Sequence, residues 1–451
     1  MKKFLSLMLV GAMAVSLAAC NNNGSAGGSS SLPTIDSIKL GSDYKDIKAS
    51  LVFHTNRTDL QSTVFPEYVK KFEKLYPGIT VKYVGDTNYA QNMTTELTTK
   101  NWGDICMIPT TVKKTQLAQL FVPFGKETTI AKTYNYLDNF SYQGTVYGVP
   151  SLSNVQGVVY NKAVFQKAGI TSLPKTPDDF IADLQLIKDK TSATPLYTNF
   201  SAGWTMGAWD AYISGTATGS ADFMNNTLVH SKNPFSKPSN GSETGPYYVY
   251  KILYDAVNKK LTEADPTTTD WEGSKTKINN GDIGVMVLGS WAVPQMQQAG
   301  SHSADIGYMP FPITVNGKQY ATAGPDYNYG INKNASKNNQ IASMLYVKWL
   351  IEDSNFDTDQ GGLPTVKTHA LPSVLANFKD VTMVTDNPAP KGEEDLLSKI
   401  NTESELALNS DNNHVMSIVE AAEKGTPTFD SIMNGWNQKW TAAQQEYGAL
   451  K

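Results

Sequence analysis

The sequence predicts an α/β chain, and a run of elements near its start carries that prediction. Ala49 to His54 is a short apolar run. Val64 to Tyr76 then places Phe65, Tyr68, Val69, Phe72, Leu75 and Tyr76 at helical spacing, Pro77-Gly78 breaks the pattern, and Ile79, Val81 and Tyr83 alternate. Strand, helix and strand joined by short connections form a right-handed crossover between parallel strands. Asn88 to Lys100 adds a helix and Asp104 to Ile108 another strand. Ligands of open α/β sheets sit beyond the carboxyl ends of the strands, here His54 to Asp59 and Pro109 to Thr111. Asn56, Arg57, Asp59 and Thr111 are therefore binding candidates, and Arg57 is the chain's only arginine. The same Thr and Asp residues are good helix caps, a reading compatible with the first. Gln156 to Lys162 is a further extended segment running into a helix at Ala163 to Ala168, and Phe429, Ile432, Met433, Trp436 and Trp440 form a helical apolar stripe that reads as core.

The first residues have another purpose. Met1-Lys2-Lys3, an apolar run from Phe4 to about Val15, and Ala18-Ala19 have the layout of a secretory signal. The run is too short for a membrane span of roughly 20 residues. Leu17-Ala18-Ala19-Cys20 resembles the lipobox of bacterial lipoproteins. That resemblance implies a signal peptide over 1–19, cleavage before Cys20, and lipid attachment at Cys20, where two acyl chains would hold what one holds only marginally. A plain secretory signal with a chance cysteine is the alternative. Residues 20–31 are nearly all Asn, Gly and Ser, the composition of a flexible linker. From residue 32 onward the composition is globular, and the length suits two or three domains. A net charge of −4 with scattered lysines offers no basic stripe for nucleic acid. With Cys20 acylated, only Cys106 remains, so no internal disulfide is available.

The middle of the chain carries a resemblance. YGVP (Tyr147–Pro150), VVYNKAVFQKAGI (Val158–Ile170) and LPKTPDDF (Leu173–Phe180) closely resemble the crossover region of family 1 extracellular solute-binding proteins of bacterial ABC importers. Phe72–Val81, Gly103-Asp104-Ile105, Gly284–Trp291, Met309–Pro312 and Gly330–Lys333 follow the family's order, so the resemblance runs from about Ser50 to Thr365. It implies a two-lobe periplasmic-binding-protein-like fold, each lobe a mostly parallel sheet flanked by helices, closing on ligand by a hinge. The implied lobes are 32–154 with 313–354, and 155–312 with 355–451.

It also implies a carbohydrate ligand, either a mono- or an oligosaccharide. Sugars are held by planar polar groups that match vicinal hydroxyls and by aromatic faces that stack on the C–H side of the ring. Trp204 and Trp291 lie beside small residues in regions where family members commonly place a sugar-stacking aromatic; the bland alternative is burial in the core. Trp209 and Asp210 are weaker candidates on the same stretch. Asp326 and Tyr327, in Gly324–Gly330, match the return to the first lobe near the cleft, although Gly-Pro-Asp is also good turn chemistry. Gln360 lies in a loop resembling one that closes over ligand. Asp104 is a further candidate, with a structural alternative in which it holds a strand end through backbone hydrogen bonds. One arginine among Asp59, Asp210 and Asp326 favours a neutral sugar over an anion.

No G-x-S-x-G, Walker A, H-E-x-x-H or C-x-x-C motif is present, and the five histidines show no ligand spacing. The expectation is therefore a monomeric binding protein, not an enzyme, without cofactor or metal. It would partner the permease subunits of an ABC importer and be lipid-anchored on the outer face of the cell membrane. The lysine excess and Asn-rich linker point to a Gram-positive source. A surface-anchored glycan-active enzyme, which needs only two facing carboxylates, and an anchored sensor or adhesin are the competing readings.

Overall fold

The computed structural model describes residues 32–450. The expected signal peptide, Cys20 and the linker over 20–31 lie outside the described residues. No helix among the described residues is long and apolar enough to cross a membrane.

The first sheet begins with strand β1 (Ala49–Thr55), which buries Leu51, Phe53 and Thr55 in alternation. The helix Phe65–Leu75 turns Phe65, Tyr68 and Phe72 inward, has a proline in its first turn, and stops where Pro77 follows. Strand β2 (Ile79–Gly85) runs parallel to β1, from Ala49 opposite Ile79 to Thr55 opposite Gly85. The next helix, Tyr89–Glu96, is shorter than the expected 88–100. Thr98 and Thr99 turn their hydroxyls back onto the carbonyls of Thr95 and Glu96, an alternative to continued helix. Strand β3 (Ile105–Ile108) is wholly buried and parallel to β1, and β4 (Val149–Pro150) completes this part of the chain.

Strand β5 (Ser153–Asn161) opens the second sheet. Then come β6 (Thr194–Leu196), β7 (Ile283–Gly289), β8 (Ile306–Met309) and β9 (Lys318–Pro325). The chain re-enters the first sheet as β10 (Asn328–Ile331) and returns to the second as β11 (Thr382–Val384). The first sheet has the order β2-β1-β3-β10-β4. In the second, β9, β5, β7 and β6 are successive neighbours, β8 also pairs β5, and β11 pairs β9. Parallel pairing is confined to β2-β1-β3, β7-β6 and β9-β11, so each sheet is mixed where a mostly parallel one was expected. The reason is the crossing itself: the chain leaves through β4 and β5 and comes back through β9 and β10, so outgoing and returning strands lie antiparallel.

Two segments thus bridge the sheets side by side. Ser153 to Val155 pair with Pro325 to Ala323 on one side, and Val149 and Pro150 pair with Tyr329 and Asn328 on the other. Between them lie only Ser151-Leu152 and Asp326-Tyr327, tied by Asp326 N–H donating to Leu152 O (3.0 Å) and Ser151 N–H to Tyr327 O (3.1 Å). The expected return at 313 therefore falls at Asp326, because Ile313 belongs to the second core and β9 to the second sheet. The expected switch at 355 shifts as well. Phe356 stacks on Phe65 at 6.1 Å, and Tyr68 donates to Asp359 Oδ2, so the helix Phe356–Asp359 packs on the first lobe. Motif order carries no pairing information, and pairing decides both positions.

Each lobe has its own core. The first is aromatic: Phe53 stacks on Tyr83 at 4.6 Å and meets Tyr329 and Tyr346 edge-on. The second is built around the helices Gly245–Asn258, Asn413–Lys424 and Phe429–Glu446. Met433, Trp436 and Trp440 are buried there as the stripe predicts, and the Trp440 indole donates to Leu228 O at 3.1 Å.

Candidate functional site

The carboxyl end of β1 delivers Asn56, Arg57 and Asp59 to one side of the crossing. Arg57 donates from Nε and Nη2 to the two Asp59 carboxylate oxygens at 2.9 and 2.7 Å, and from Nη2 to Gln360 Oε1 at 2.7 Å. This bidentate fork fixes the guanidinium plane. Gln360, at 3 % exposure, follows the Phe356–Asp359 helix that the first lobe anchors. The loop then leans on the second lobe: a Cβ at Gly361 would meet Pro294 at 3.0 Å, and Gly361 has φ +68, a conformation that favours glycine.

Asp326 occupies the crossing. Burial raises its pKa above the usual carboxylate range, opposed by the Tyr327 backbone N–H, the Arg57 guanidinium and the Asn154 side chain. Tyr327 meets Tyr89 edge-on at 5.7 Å, and burial followed by the neighbouring Asp326 charge raises its pKa. Asn154 and Ser153 begin β5 beside them. The side-chain oxygens Asn56 Oδ1, Ser153 Oγ and Asn154 Oδ1 are buried without a protein partner. Buried polar atoms are almost always paired, so unpaired acceptors at the crossing are where a hydroxyl-rich ligand would be satisfied.

The second lobe supplies the apolar face. Trp291 follows β7, whose last residue Gly289 pairs with Gln156 of β5, and a Cβ at Gly289 would meet the Trp291 indole nitrogen at 2.7 Å. Trp204 heads the short helix Trp204–Gly207, entered through Gly203 at φ +70, and is 40 % exposed. These two rings lie 5.5 Å apart, and Trp271 joins both, at 5.0 Å from Trp204 and 5.8 Å from Trp291. Trp271 is not among the residues singled out from the sequence; the signal that could have found it is Asp270, whose side chain caps the helix Trp271–Asn280 by accepting the Glu272 N–H and so places the ring at its mouth. Lys275 Nζ sits 4.8 Å from the Trp271 ring.

The remaining candidates have partners within the protein or lie in the core. Asp104 stands at the amino end of β3, where Oδ2 accepts Val52 N–H and Oδ1 accepts the Asn339 amide, both at 2.8 Å. It holds strand to strand, at the opposite end from the loops that follow β1 and β3. Thr111 Oγ1 pairs with Thr94 Oγ1 at 2.7 Å, tying the loop after β3 to the helix Tyr89–Glu96. Trp209 and Asp210 are buried in the second core. Among the described residues no group of His, Cys, Asp or Glu is gathered to hold a metal ion.

Unpaired polar oxygens near the crossing and a cluster of three tryptophans on the second lobe suit a neutral ligand with both hydroxyls and apolar ring faces. Comparison with known proteins agrees in kind. Residues 58–355 match the family model described as bacterial extracellular solute-binding protein. A manno-oligosaccharide-specific solute-binding protein from Bifidobacterium animalis subsp. lactis, solved with mannotriose, is 48 % identical with a TM-score of 0.87, covering 92 % of this chain and 99 % of its own. An ABC-transporter binding protein from the same organism, solved with mannobiose, is 50 % identical with the same TM-score and the same coverages. The multiple sugar-binding protein of Streptococcus mutans is 26 % identical over 72 % of this chain and 73 % of its own. The chain belongs to the bacterial extracellular solute-binding protein family.

Proposed function

We propose that this protein captures a manno-oligosaccharide in the cleft at the crossing and delivers it, without chemical change, to the permease of an ABC importer. The observation that carries the reading is the Trp204–Trp271–Trp291 cluster on the second lobe, with Trp204 40 % exposed. Three aromatic faces suit several sugar rings, while Arg57, Asn154, Asp326 and Gln360 supply hydroxyl partners. Half-identical relatives that carry mannobiose and mannotriose support mannose units in particular. In this reading the expected Cys20 lipid holds the protein at the outer membrane face, and the lobes close by rotation about Ser151-Leu152 and Asp326-Tyr327.

Calorimetry of the protein with mannobiose, mannotriose, maltotriose and raffinose tests the ligand class. Binding of the two mannose oligomers in preference to the others, with the sugar recovered intact, is expected. Absence of binding to both mannose oligomers would remove the substrate assignment, and release of new reducing ends would replace the binding protein with an enzyme. Labelling with radioactive palmitate should mark the wild type and not Cys20→Ala.

A further inference from the structure

We infer that Asp210, His414 and the 409–412 loop form a brace whose role is to position Trp204, making them positioning residues for the aromatic platform; the inference rests on Trp204 belonging to the sugar site. Asp210 lies on the turn that follows the Trp204–Gly207 helix, and at 1 % exposure its carboxylate is sealed from solvent. A buried carboxylate is tolerated only when its oxygens are saturated with donors. Here Oδ1 accepts the Tyr250 hydroxyl at 2.8 Å and faces His414 Nε2 at 2.9 Å, while Oδ2 accepts Asn409 N–H at 2.7 Å. Two of these three partners belong to the segment running into the helix Asn413–Lys424, more than a hundred residues later in the chain.

That segment is pressed against the tryptophan's own helix. A Cβ at Gly207 would fall 2.4 Å from Asn412 Oδ1 and 3.1 Å from the Asp411 carbonyl, and one at Gly203 would fall 3.3 Å from Asn412 Nδ2. Both ends of the helix Trp204–Gly207 therefore lie against Asn412, and any larger residue at Gly207 would push the two apart. A helix of one turn has too few internal hydrogen bonds to hold its own orientation. Its exposed first residue consequently takes its direction from what lies behind it. The His414 ring also rests 5.4 Å from Trp436 of the core helix Phe429–Glu446, which ties the brace to the core of the lobe.

The test reads Trp204 directly. The protein is labelled with 5-fluorotryptophan, the Trp204 fluorine resonance is identified by its loss in Trp204→Phe, and spectra are taken without sugar. His414→Ala and Asn412→Ala should move or broaden that resonance, while His414→Gln, which keeps a donor toward Asp210, should largely restore it. An unmoved Trp204 signal in folded Asn412→Ala and His414→Ala would overturn the proposal; should His414→Ala not fold, Asn412→Ala decides alone, because it leaves the buried carboxylate satisfied. Mannotriose affinity gives the second reading. Each brace variant should weaken it by about three- to tenfold in the wild-type background and add nothing in Trp204→Ala, the mark of two changes acting through one group. Equal losses in both backgrounds would make the brace merely structural. A wild type that does not bind mannotriose would refute the ligand assignment, leaving the brace to be judged on the fluorine shift.

Discussion

Arg57 Nη2 donates to Gln360 Oε1 at 2.7 Å while its Nε and Nη2 grip Asp59, so the chain's only arginine joins the loop after β1 to a loop 303 positions away. The bond holds a planar cation in place beside Asp326. Arg57→Ala should weaken mannotriose binding by about tenfold or more, a loss of roughly 1.4 kcal/mol. Arg57→Lys should recover little of it, since a point charge cannot grip a carboxylate with two parallel bonds and reach an amide as well. Calorimetry on both variants decides, and affinity restored by lysine would show that charge alone matters.

Trp291 and Asp104 should separate binding from stability. Trp291 is half-buried and contacts two other rings, so Trp291→Ala should cost at least about tenfold in sugar affinity with little change in melting temperature. Asp104→Ala should do the reverse. It leaves Val52 N–H without its partner, at a cost of about 1–3 kcal/mol, while the Asn339 amide keeps the Ser50 carbonyl. A melting curve and a titration on each variant test both halves, and an Asp104 variant that stays stable but loses sugar would put that residue back in the site.

Asp326 trades stability for function. Because burial raises its pKa in the folded chain, the folded state holds the proton more tightly than the unfolded one, and stability is lost as pH rises from the unfolded pKa through the raised one. Asp326→Asn should therefore raise the melting temperature at neutral pH and weaken sugar binding, since a carboxyl oxygen that can partner a hydroxyl is lost. The stabilisation should shrink as pH falls through the raised pKa, where the wild type becomes neutral too. A pH series of melting temperatures for the two proteins checks the sign.

Asp183 makes the same argument away from the cleft. Burial, with the nearby Asp179 charge, lifts its pKa to about 6. Its protonated form is favoured in the folded state, so stability should rise as pH drops through about 6 and level off near the unfolded value of roughly 3.9. Asp183→Asn should be more stable than wild type at pH 7 and lose that part of the pH dependence, with unchanged mannotriose affinity. Identical pH profiles for variant and wild type would exclude Asp183 as the source.

The first crossover was legible because β1, the Phe65–Leu75 helix and β2 are local: apolar periodicity, Pro77 and alternation specify them before any distant contact forms. The placement of Arg57 beyond a strand end, and the core stripe of Met433, Trp436 and Trp440, were readable for the same reason. Local chemistry misled where a side chain had two good uses. Asp104 could bind ligand or hold a strand, and only its place at the amino end of β3 settles that. Trp271 was invisible because a tryptophan heading a helix looks like any core residue until two other rings are found against it.

The sequence alone thus determined the α/β elements and the polar loop after β1, since both depend on residues within a few turns of one another. The tertiary structure decided where the chain crosses between sheets, which oxygens at the crossing are left unpaired, and which three tryptophans meet. Those features depend on strand pairing and packing between segments distant in the chain, and the periodicity of a single segment carries no record of what will lie beside it.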